Sequence, residues 1–152
     1  MPSKAILLDI DGSVRITKSG KPCPSDPEDI EILPNTKEIL EFYKNQGYLL
    51  LGVSNQGGIS QGYVSKEQVE ACFQRTQELL GLEIEIKYCP HPVYPISCFC
   101  RKPGTEFGMY FVSKYKLNPK DCVVVGDMES DKAFAANCGF QFAWADDFFK
   151  RK

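Results

Sequence analysis

Short runs of apolar residues alternate with longer amphipathic segments along the chain. The runs resemble buried strands because they are brief and rich in valine, isoleucine and leucine. The longer segments repeat apolar positions at helical spacing. The predicted strands are 4–10, 48–54, 84–88, 121–126 and 140–144, and the predicted helices are 35–46, 66–80, 105–116 and 130–137. The proline-rich stretch 12–34 is predicted to be a loop.

Capping residues support the helix boundaries. Asn35 and Ser65 occupy positions that favour an N-cap, and Glu38 follows Asn35 at the spacing of a capping box. Gly81 and Gly139 end two of the helices, since glycine readily adopts a left-handed backbone conformation. Strands that alternate with helices favour an α/β fold, with a central parallel sheet covered by helices on both faces in a three-layer, Rossmann-like arrangement.

Composition sets the scale of this fold. The chain has 152 residues, of which 43% are hydrophobic and 25% charged, and these values are typical of one globular domain spanning residues 1–152. The formal net charge of −2 favours neither nucleic acid nor an anionic membrane as a partner. The first apolar run, residues 5–8, is too short for a signal peptide or a transmembrane helix. We therefore expect a cytoplasmic protein with no membrane partner.

Polar residues follow the predicted strands, at the edge where parallel α/β sheets bind ligands. They are Asp9 and Asp11 after the first strand, Ser54 and Asn55 after the second, Arg101 and Lys102 after the third, and Asp127 and Asp131 after the fourth. Neighbouring carboxylates repel each other unless a cation lies between them, and Mg²⁺ is the usual partner of carboxylate and phosphate oxygens. Ser54 and the backbone amides around Asn55 can hold phosphate oxygens, and Lys102 can neutralise phosphoryl charge.

These motifs resemble those of the haloacid dehalogenase-like (HAD) phosphatase superfamily. Asp9-Ile10-Asp11-Gly12-Ser13-Val14 is similar to the first motif of that superfamily, Ser54 to the second, Lys102 to the third, and Gly126-Asp127-x-x-x-Asp131 to the fourth. The resemblance spans residues 5 to about 145 and implies the HAD fold. Both points where cap domains are inserted, 12–34 and 89–103, are short here, so we expect no large cap domain.

The resemblance also implies a role for each of these residues. Asp9 is the nucleophile that forms an aspartyl-phosphate, and Asp11 protonates the leaving oxygen and then activates water. The Asp9 carboxylate, the backbone carbonyl of Asp11 and the Asp127 carboxylate hold the catalytic Mg²⁺, with Asp131 in support.

The chain has seven cysteines and one histidine, and three of the cysteines form a cluster with the histidine. Cys89, His91, Cys98 and Cys100 give the spacing Cys-x-His-x6-Cys-x-Cys, which suits tetrahedral Zn²⁺. Four protein ligands leave no open position for water, so we expect a structural zinc in a loop at 89–100. A chance cluster is the main alternative, and a redox pair is disfavoured because no Cys-x-x-Cys occurs.

The zinc cluster resembles a branch of HAD subfamily IIIA that includes D-glycero-D-manno-heptose 1,7-bisphosphate phosphatase and the histidinol-phosphate phosphatases. In that branch a similar cluster precedes Arg-Lys-Pro, which implies that Arg101 also contacts the substrate. Thr17–Lys21 and Asp146–Phe149 instead resemble segments of the polynucleotide 3′-phosphatases.

Three functions are consistent with these observations. The favoured one is a Mg²⁺-dependent phosphomonoesterase that acts on a small phosphorylated metabolite such as a sugar phosphate. The second is a polynucleotide 3′-phosphatase, which would add nucleic acid to the partners. The third is a non-enzymatic, zinc-stabilised binding module, which the complete set of catalytic motifs disfavours. The sequence predicts no particular oligomeric state.

Overall fold

The computed structural model describes residues 3–95 and 98–152 and contains a five-stranded parallel sheet. The strands are β1 (Ala5–Leu8), β2 (Arg15–Thr17), β3 (Ile30–Ile32), β4 (Leu49–Asn55), β5 (Glu85–Cys89), β6 (Val123–Gly126) and β7 (Gln141–Trp144). The helices are α1 (Thr36–Asn45), α2 (Lys66–Leu80), α3 (Glu106–Tyr115), α4 (Glu129–Cys138) and α5 (Ala145–Phe148). The large sheet has the order β5-β4-β1-β6-β7, and all of its strand pairs are parallel.

Two apolar cores lie on opposite faces of this sheet. Alternate residues of β1 point to opposite sides, so Ile6 and Leu8 join one core while Ala5 and Leu7 join the other. Helices α1, α2 and α5 contribute to the first core, and α3 and α4 contribute to the second. The predicted three-layer α/β fold with a central parallel sheet is confirmed, because helices cover both faces.

The helix ends agree with the predictions at α2 and differ at α1. The Ser65 hydroxyl accepts a hydrogen bond from the Gln68 backbone N–H, the Gln68 side chain accepts one from the Ser65 N–H, and Gly81 ends the helix with φ of 67°. Asn35 occupies the N-cap position of α1 as predicted, but its side chain makes no capping hydrogen bond. Its backbone is left-handed and its Nδ2 donates to the carbonyls of Phe149 and Lys150. These distant carbonyls hold the Asn35 side chain, and its Oδ1, the atom that would cap the helix, accepts no hydrogen bond from the first turn of α1.

Residues 12–34 are not the plain loop that was predicted. Strands β2 and β3 pair antiparallel, and Val14 and Ile30 are buried in the first core. Strands of three residues are too short to leave an alternating pattern in the sequence. The four-residue helix α5 was not predicted for the same reason, because it is too short to show helical spacing. The insertion adds only this hairpin, so the expectation of no large cap domain is confirmed. Across residues 3–95 and 98–152, every helix is too short or too polar to cross a membrane.

The strand order places the ends of β1, β4 and β6 next to one another. From the central β1 the chain moves first to β4 and β5 on one side, and later to β6 and β7 on the other. Side chains beyond the carboxyl ends of strands at such a reversal converge on one crevice. Asp9, Asn55 and Asp127 lie at the ends of these three neighbouring strands.

Candidate active site

A cavity of about 380 Å³ lies at the carboxyl ends of the central strands. It brings together all of the side chains that the sequence predicted for the phosphate site. Its lining includes Asp9, Asp11, Ser54, Asn55, Arg101, Lys102, Asp127 and Asp131, together with Gly12, Pro22, Cys23, Met128 and Ser130. The separate motifs of the sequence therefore form one site.

Lys102 is the central cation of this cavity and is 4% exposed. Its Nζ donates to Asp9 Oδ1 at 2.9 Å, to Asp131 Oδ1 at 2.7 Å and to the Val53 carbonyl at 2.7 Å. Burial lowers the pKa of Lys102, but the Asp9 and Asp131 carboxylates raise it by more, so the pKa lies above its ordinary value. The ammonium group is therefore charged and fully hydrogen-bonded.

Asp9 is held from both sides at the end of β1. Its Oδ1 accepts from Lys102, and its Oδ2 accepts from the Ser13 hydroxyl at 3.0 Å. Burial and the nearby Asp127 carboxylate raise the pKa of Asp9 to about 6, against the opposing effect of Lys102. A further cation between Asp9 and Asp127 would remove the repulsion that contributes to this shift.

Gly12 lets the Asp127 carboxylate approach the chain after β1. Its φ is +87°, a left-handed value that glycine adopts without strain. A Cβ at this position would lie 2.2 Å from Asp127 Oδ2, which is far inside van der Waals contact. The glycine of the first motif therefore has a steric reason in this chain.

Asp9, Asp127 and Asp131 each offer a carboxylate oxygen to one place, and the three oxygens lie within 4.8 Å of one another. Oxygen-rich sites of this kind fit Mg²⁺. Asp131 is already engaged, because its Oδ2 accepts from the backbone N–H groups of Asp127 at 3.2 Å and Met128 at 3.1 Å. Asp131 therefore orients Lys102 and the loop that carries Asp127. Asp127 is exposed, and each Asp9 oxygen accepts only one hydrogen bond, so these two carboxylates are more available to a metal.

Asp11 has two partners that the motifs did not reveal. Arg15 donates from Nε to Asp11 Oδ1 at 2.8 Å and from Nη2 to Oδ2 at 3.3 Å, and Gln56 Nε2 donates to Oδ2 at 2.8 Å. Arg15 is 1% exposed, although it lies in a stretch predicted to be a loop. Neither a charged residue in a polar segment nor a glutamine after a strand carries a sequence signal of burial. The hydrophobic pattern alone could therefore not identify Arg15 or Gln56 as partners of Asp11.

Ser54 and Asn55 are placed by the same network. The Ser54 hydroxyl is buried and accepts from Gln56 Nε2 at 2.9 Å. Asn55 Oδ1 accepts from the backbone N–H of Lys102 at 2.9 Å, and its Nδ2 donates to the Lys102 carbonyl. The Asn55 side chain thus fixes the Lys102 backbone beside the cavity.

The cysteine and histidine side chains converge as predicted. Ligand atoms of Cys89, His91, Cys98 and Cys100 lie within 4.8 Å of one another. His91 Nδ1 is 3.2 Å from the Sγ atoms of both Cys89 and Cys100, and the Sγ atoms of Cys89 and Cys98 are 3.7 Å apart. Sulfurs of a tetrahedral site with zinc–sulfur bonds of about 2.3 Å are separated by about 3.8 Å. The four groups fit a zinc ion.

The electrostatics of the thiols also fit a cation. Burial raises the pKa of Cys98, but hydrogen bonds from the Arg101 backbone and from Cys100 and Cys89 lower it more, to about 7. Burial and the neighbouring Cys89 and Cys98 raise the pKa of Cys100 well above its ordinary value. Three adjacent thiolates repel one another strongly, and a divalent ion would stabilise all of them.

The Cys/His cluster is tied to the catalytic cavity through Arg101. Its Nη1 donates to the His91 carbonyl at 3.3 Å, and its side chain lines the cavity. Gly57 lies against this contact, since a Cβ there would be 3.0 Å from the His91 carbonyl oxygen and 3.2 Å from Arg101 Nη1. Ile96 and Ser97, in the middle of the predicted zinc loop, lie outside the described residues.

Comparison with known proteins identifies relatives over almost the whole chain. The family model described as polynucleotide kinase 3 phosphatase matches residues 4–149. A Thermoplasma volcanium protein described as a probable D-glycero-D-manno-heptose-1,7-bisphosphate 7-phosphatase is 33% identical over 146 residues, covering 91% of this chain and 96% of that protein. The Helicobacter pylori D-glycero-beta-D-manno-heptose-1,7-bisphosphate 7-phosphatase is 32% identical over 140 residues, covering 89% and 79%.

Solved structures show the same fold. The D,D-heptose 1,7-bisphosphate phosphatase of B. bronchiseptica, complexed with magnesium and phosphate, superposes with a TM-score of 0.80. The match covers 91% of this chain and 78% of that one at 23% sequence identity. The two chains therefore share the arrangement of sheet and helices.

Proposed function

Because this chain belongs to the haloacid dehalogenase-like phosphatases, through the polynucleotide kinase 3 phosphatase family and its heptose-bisphosphate phosphatase relatives, we propose that it hydrolyses the phosphomonoester of a small phosphorylated sugar. The proposal is carried by the pairing of Asp9 and Asp11 in one cavity, with Lys102 bonded to Asp9. A carboxylate beside a cation suits nucleophilic attack on phosphorus, and a second carboxyl group suits proton transfer.

The reaction follows from these positions. An Asp9 carboxylate oxygen attacks phosphorus, the ester P–O bond breaks, and the leaving oxygen takes the proton of the Asp11 carboxyl group. Asp11, now a carboxylate, accepts a proton from a water molecule whose oxygen attacks the aspartyl-phosphate. Inorganic phosphate leaves and the Asp9 carboxylate is restored, so the proton balance of Asp11 closes over one cycle.

The phosphoryl oxygens need positive charge and hydrogen-bond donors throughout the reaction, and two cations and one hydroxyl group can provide them. Lys102 and Arg101 line the cavity as cations, and the Ser54 hydroxyl lies among the groups that can donate a hydrogen bond. Asp9, Asp127 and the Asp11 carbonyl would hold Mg²⁺, which would supply further charge stabilisation to the phosphoryl oxygens.

Zinc in the loop 89–100 has a structural role in this proposal. The loop follows β5 and ends at the two phosphate-binding cations, and Arg101 bonds to the His91 carbonyl inside it. The metal would thereby hold Arg101 and Lys102 at the cavity. We place the enzyme, one catalytic domain over residues 1–152, in the cytoplasm, where reducing conditions keep thiols available to zinc.

The size of the site favours a small substrate. The catalytic cavity shares Pro22 and Cys23 with a second cavity of about 330 Å³, which is also lined by Lys21, Tyr63 and Val64. The carbon skeleton of a sugar phosphate fits a space of this size next to the catalytic cavity. The relatives named as heptose-bisphosphate phosphatases support the same substrate class.

A second candidate, polynucleotide 3′-phosphatase activity, is favoured by the match to the polynucleotide kinase 3 phosphatase family. Turnover of a panel of sugar phosphates and a 3′-phosphorylated oligonucleotide, each with Mg²⁺, separates the two. Preference for the oligonucleotide, with binding that weakens steeply as salt increases, would replace our proposal. Absence of turnover on every phosphoester would leave the zinc-stabilised binding module.

The role of Asp9 is tested by Asp9→Asn, which keeps the shape of the side chain and removes the nucleophile. We expect kcat on the best panel substrate to fall by at least about 10³-fold, the order seen when a nucleophile is lost. Asp146→Asn, at an exposed carboxylate near the C-terminus, is the matched control. A wild-type rate for Asp9→Asn would refute the mechanism.

A further inference from the structure

Arg15 is the largest of the fully buried side chains, yet none of the catalytic motifs contains it. Its guanidinium group forms a two-point contact with Asp11, through Nε at 2.8 Å and Nη2 at 3.3 Å. Two-point contacts fix the plane of a carboxylate as well as its distance. The structure therefore holds Asp11 at a defined angle.

Helix α2 anchors the other end of this guanidinium group. Arg15 Nη1 donates to the Cys72 carbonyl at 3.1 Å and to Thr76 Oγ1 at 2.8 Å. The guanidinium carbon lies 4.9 Å from the centre of the Phe73 ring, which belongs to the same helix. Asp11 is thus connected through Arg15 to helix α2, which packs on the sheet. The position of its carboxyl group therefore depends on this helix as well as on the segment that carries Asp11.

Gln56 completes the support from a second direction. It donates to Asp11 Oδ2 at 2.8 Å and to the Ser54 hydroxyl at 2.9 Å. An ionised carboxylate has about four lone-pair sites. Arg15 and Gln56 occupy three of those on Asp11, two on Oδ2 and one on Oδ1, so one site on Oδ1 is left to carry a proton.

We propose that Arg15 is a positioning residue that aims the Asp11 carboxyl group at the leaving oxygen of the substrate. The inference rests on the proposed function, in which Asp11 donates that proton. Arg15 itself is buried behind Asp11 and acts only through it. Its removal should weaken proton transfer to the leaving group while attack by Asp9 stays intact.

Leaving groups of different basicity separate this role from a purely structural one. An alkyl ester leaves as a strongly basic alkoxide and needs the Asp11 proton, whereas p-nitrophenolate leaves without it. Asp11 also activates water in the second step on both substrates, so kcat would mix its two roles. We therefore compare kcat/KM, which reports only the steps up to formation of the aspartyl-phosphate, on a sugar phosphate that the enzyme hydrolyses and on p-nitrophenyl phosphate, using enzyme loaded with Mg²⁺ and zinc. Wild type, Arg15→Met, Arg15→Lys and Asp11→Asn are measured side by side.

For Arg15→Met we expect kcat/KM on the sugar phosphate to fall about 100-fold, the order lost when a proton donor is misplaced. The fall in kcat/KM on p-nitrophenyl phosphate should be less than about fivefold, since departure of p-nitrophenolate needs no proton from Asp11. Arg15→Lys should show the same selectivity, because lysine keeps the charge but cannot form the two-point contact.

Arg75→Met is the matched control, because Arg75 lies on α2 with an exposed side chain and should leave both rates unchanged. Equal losses on the two substrates in the Arg15 variants would overturn the inference and assign Arg15 to the fold alone. If Arg15→Met does not fold, Arg15→Lys decides by the same ratio of rates. A lack of selectivity in Asp11→Asn would instead refute the role of Asp11 in the proposed function.

Discussion

Replacing Lys102 by methionine removes the cation that two carboxylates share in the interior of the site. The ammonium group donates to Asp9, Asp131 and the Val53 carbonyl, all at 2.9 Å or less. Methionine has a similar volume, so the variant tests charge and hydrogen bonding with little change in packing. After the change, Asp9 and Asp131 face each other without a counter-ion.

The magnitude follows from the burial of the pair. Lys102 and Asp131 have side chains only 3% and 2% exposed, so solvent cannot compensate for the lost partner. Removing one member of a buried ion pair typically costs about 3–5 kcal/mol. With a urea m-value of about 2 kcal/mol/M, a loss of about 4 kcal/mol lowers the unfolding midpoint by about 2 M.

Urea unfolding followed by circular dichroism measures this shift. The buffer should contain neither Mg²⁺, which would stabilise the exposed carboxylates, nor a strong chelator, which would remove zinc. Asp131→Asn and the Lys102→Met/Asp131→Asn double variant complete a mutant cycle. The double variant should lose about 1–3 kcal/mol less than the sum of the single variants, because its second change removes a charge that the first left unpaired.

Lys114→Met is the control, since Lys114 is 43% exposed and pairs with Glu85 at the surface. An exposed pair contributes about 0–1 kcal/mol. A midpoint for Lys102→Met as close to wild type as that of Lys114→Met would refute the reasoning. Strictly additive losses in the mutant cycle would also refute it, because they would mean that Lys102 and Asp131 do not depend on each other.

Three further predictions concern other parts of the chain. Gly12→Ala should lower kcat at least about tenfold and weaken activation by Mg²⁺, because the new Cβ would displace the Asp127 carboxylate. Gly20→Ala is the control: its backbone is also left-handed but the space around it is open, so it should cost only about 1 kcal/mol of stability. Cys100→Ser should lower the zinc content and the melting temperature, and Cys138→Ala should keep zinc at one ion per chain by metal analysis. Burial raises the pKa of Glu85, but its bonds to a tyrosine and a lysine lower it more, so its contribution exists above the unfolded pKa of 4.5 and disappears as the pH falls through the folded value. Glu85→Gln should therefore cost about 0.5–1 kcal/mol at pH 7, and the cost in urea unfolding should shrink steadily as the pH is lowered below 4.5. A cost that stays the same as the pH is lowered would contradict this account.

The central sheet and the contents of the catalytic cavity were predictable because they depend on local patterns. Buried parallel strands are apolar runs, and the residues that follow such strands meet at one edge. The Cys/His cluster was predictable for a similar reason, since Cys89, His91, Cys98 and Cys100 lie close together along the chain. Their ligand atoms then need only a short loop to converge.

The hairpin was not predictable because its strands are only three residues long. The support of Asp11 was not predictable because its partners are far away in sequence. Arg15 bonds to residues 57 and 61 positions further along the chain, and Asn35 bonds to residues 114 and 115 positions away. Side chains of this type are read as loop or capping residues when only their neighbours are considered. Their actual role depends on which distant backbone they meet.

The amino-acid sequence by itself therefore determined the α/β architecture, the carboxylates and cations of the phosphatase site, and the four candidate zinc ligands. Hydrophobic burial and strand-end geometry are local enough to be expressed in short patterns. Only the tertiary structure decided how Asp11 is aimed, how Lys102 is shared between Asp9 and Asp131, and how Arg101 is tied to the His91 carbonyl. These contacts join separate elements across the sheet, so they exist only once the chain has folded.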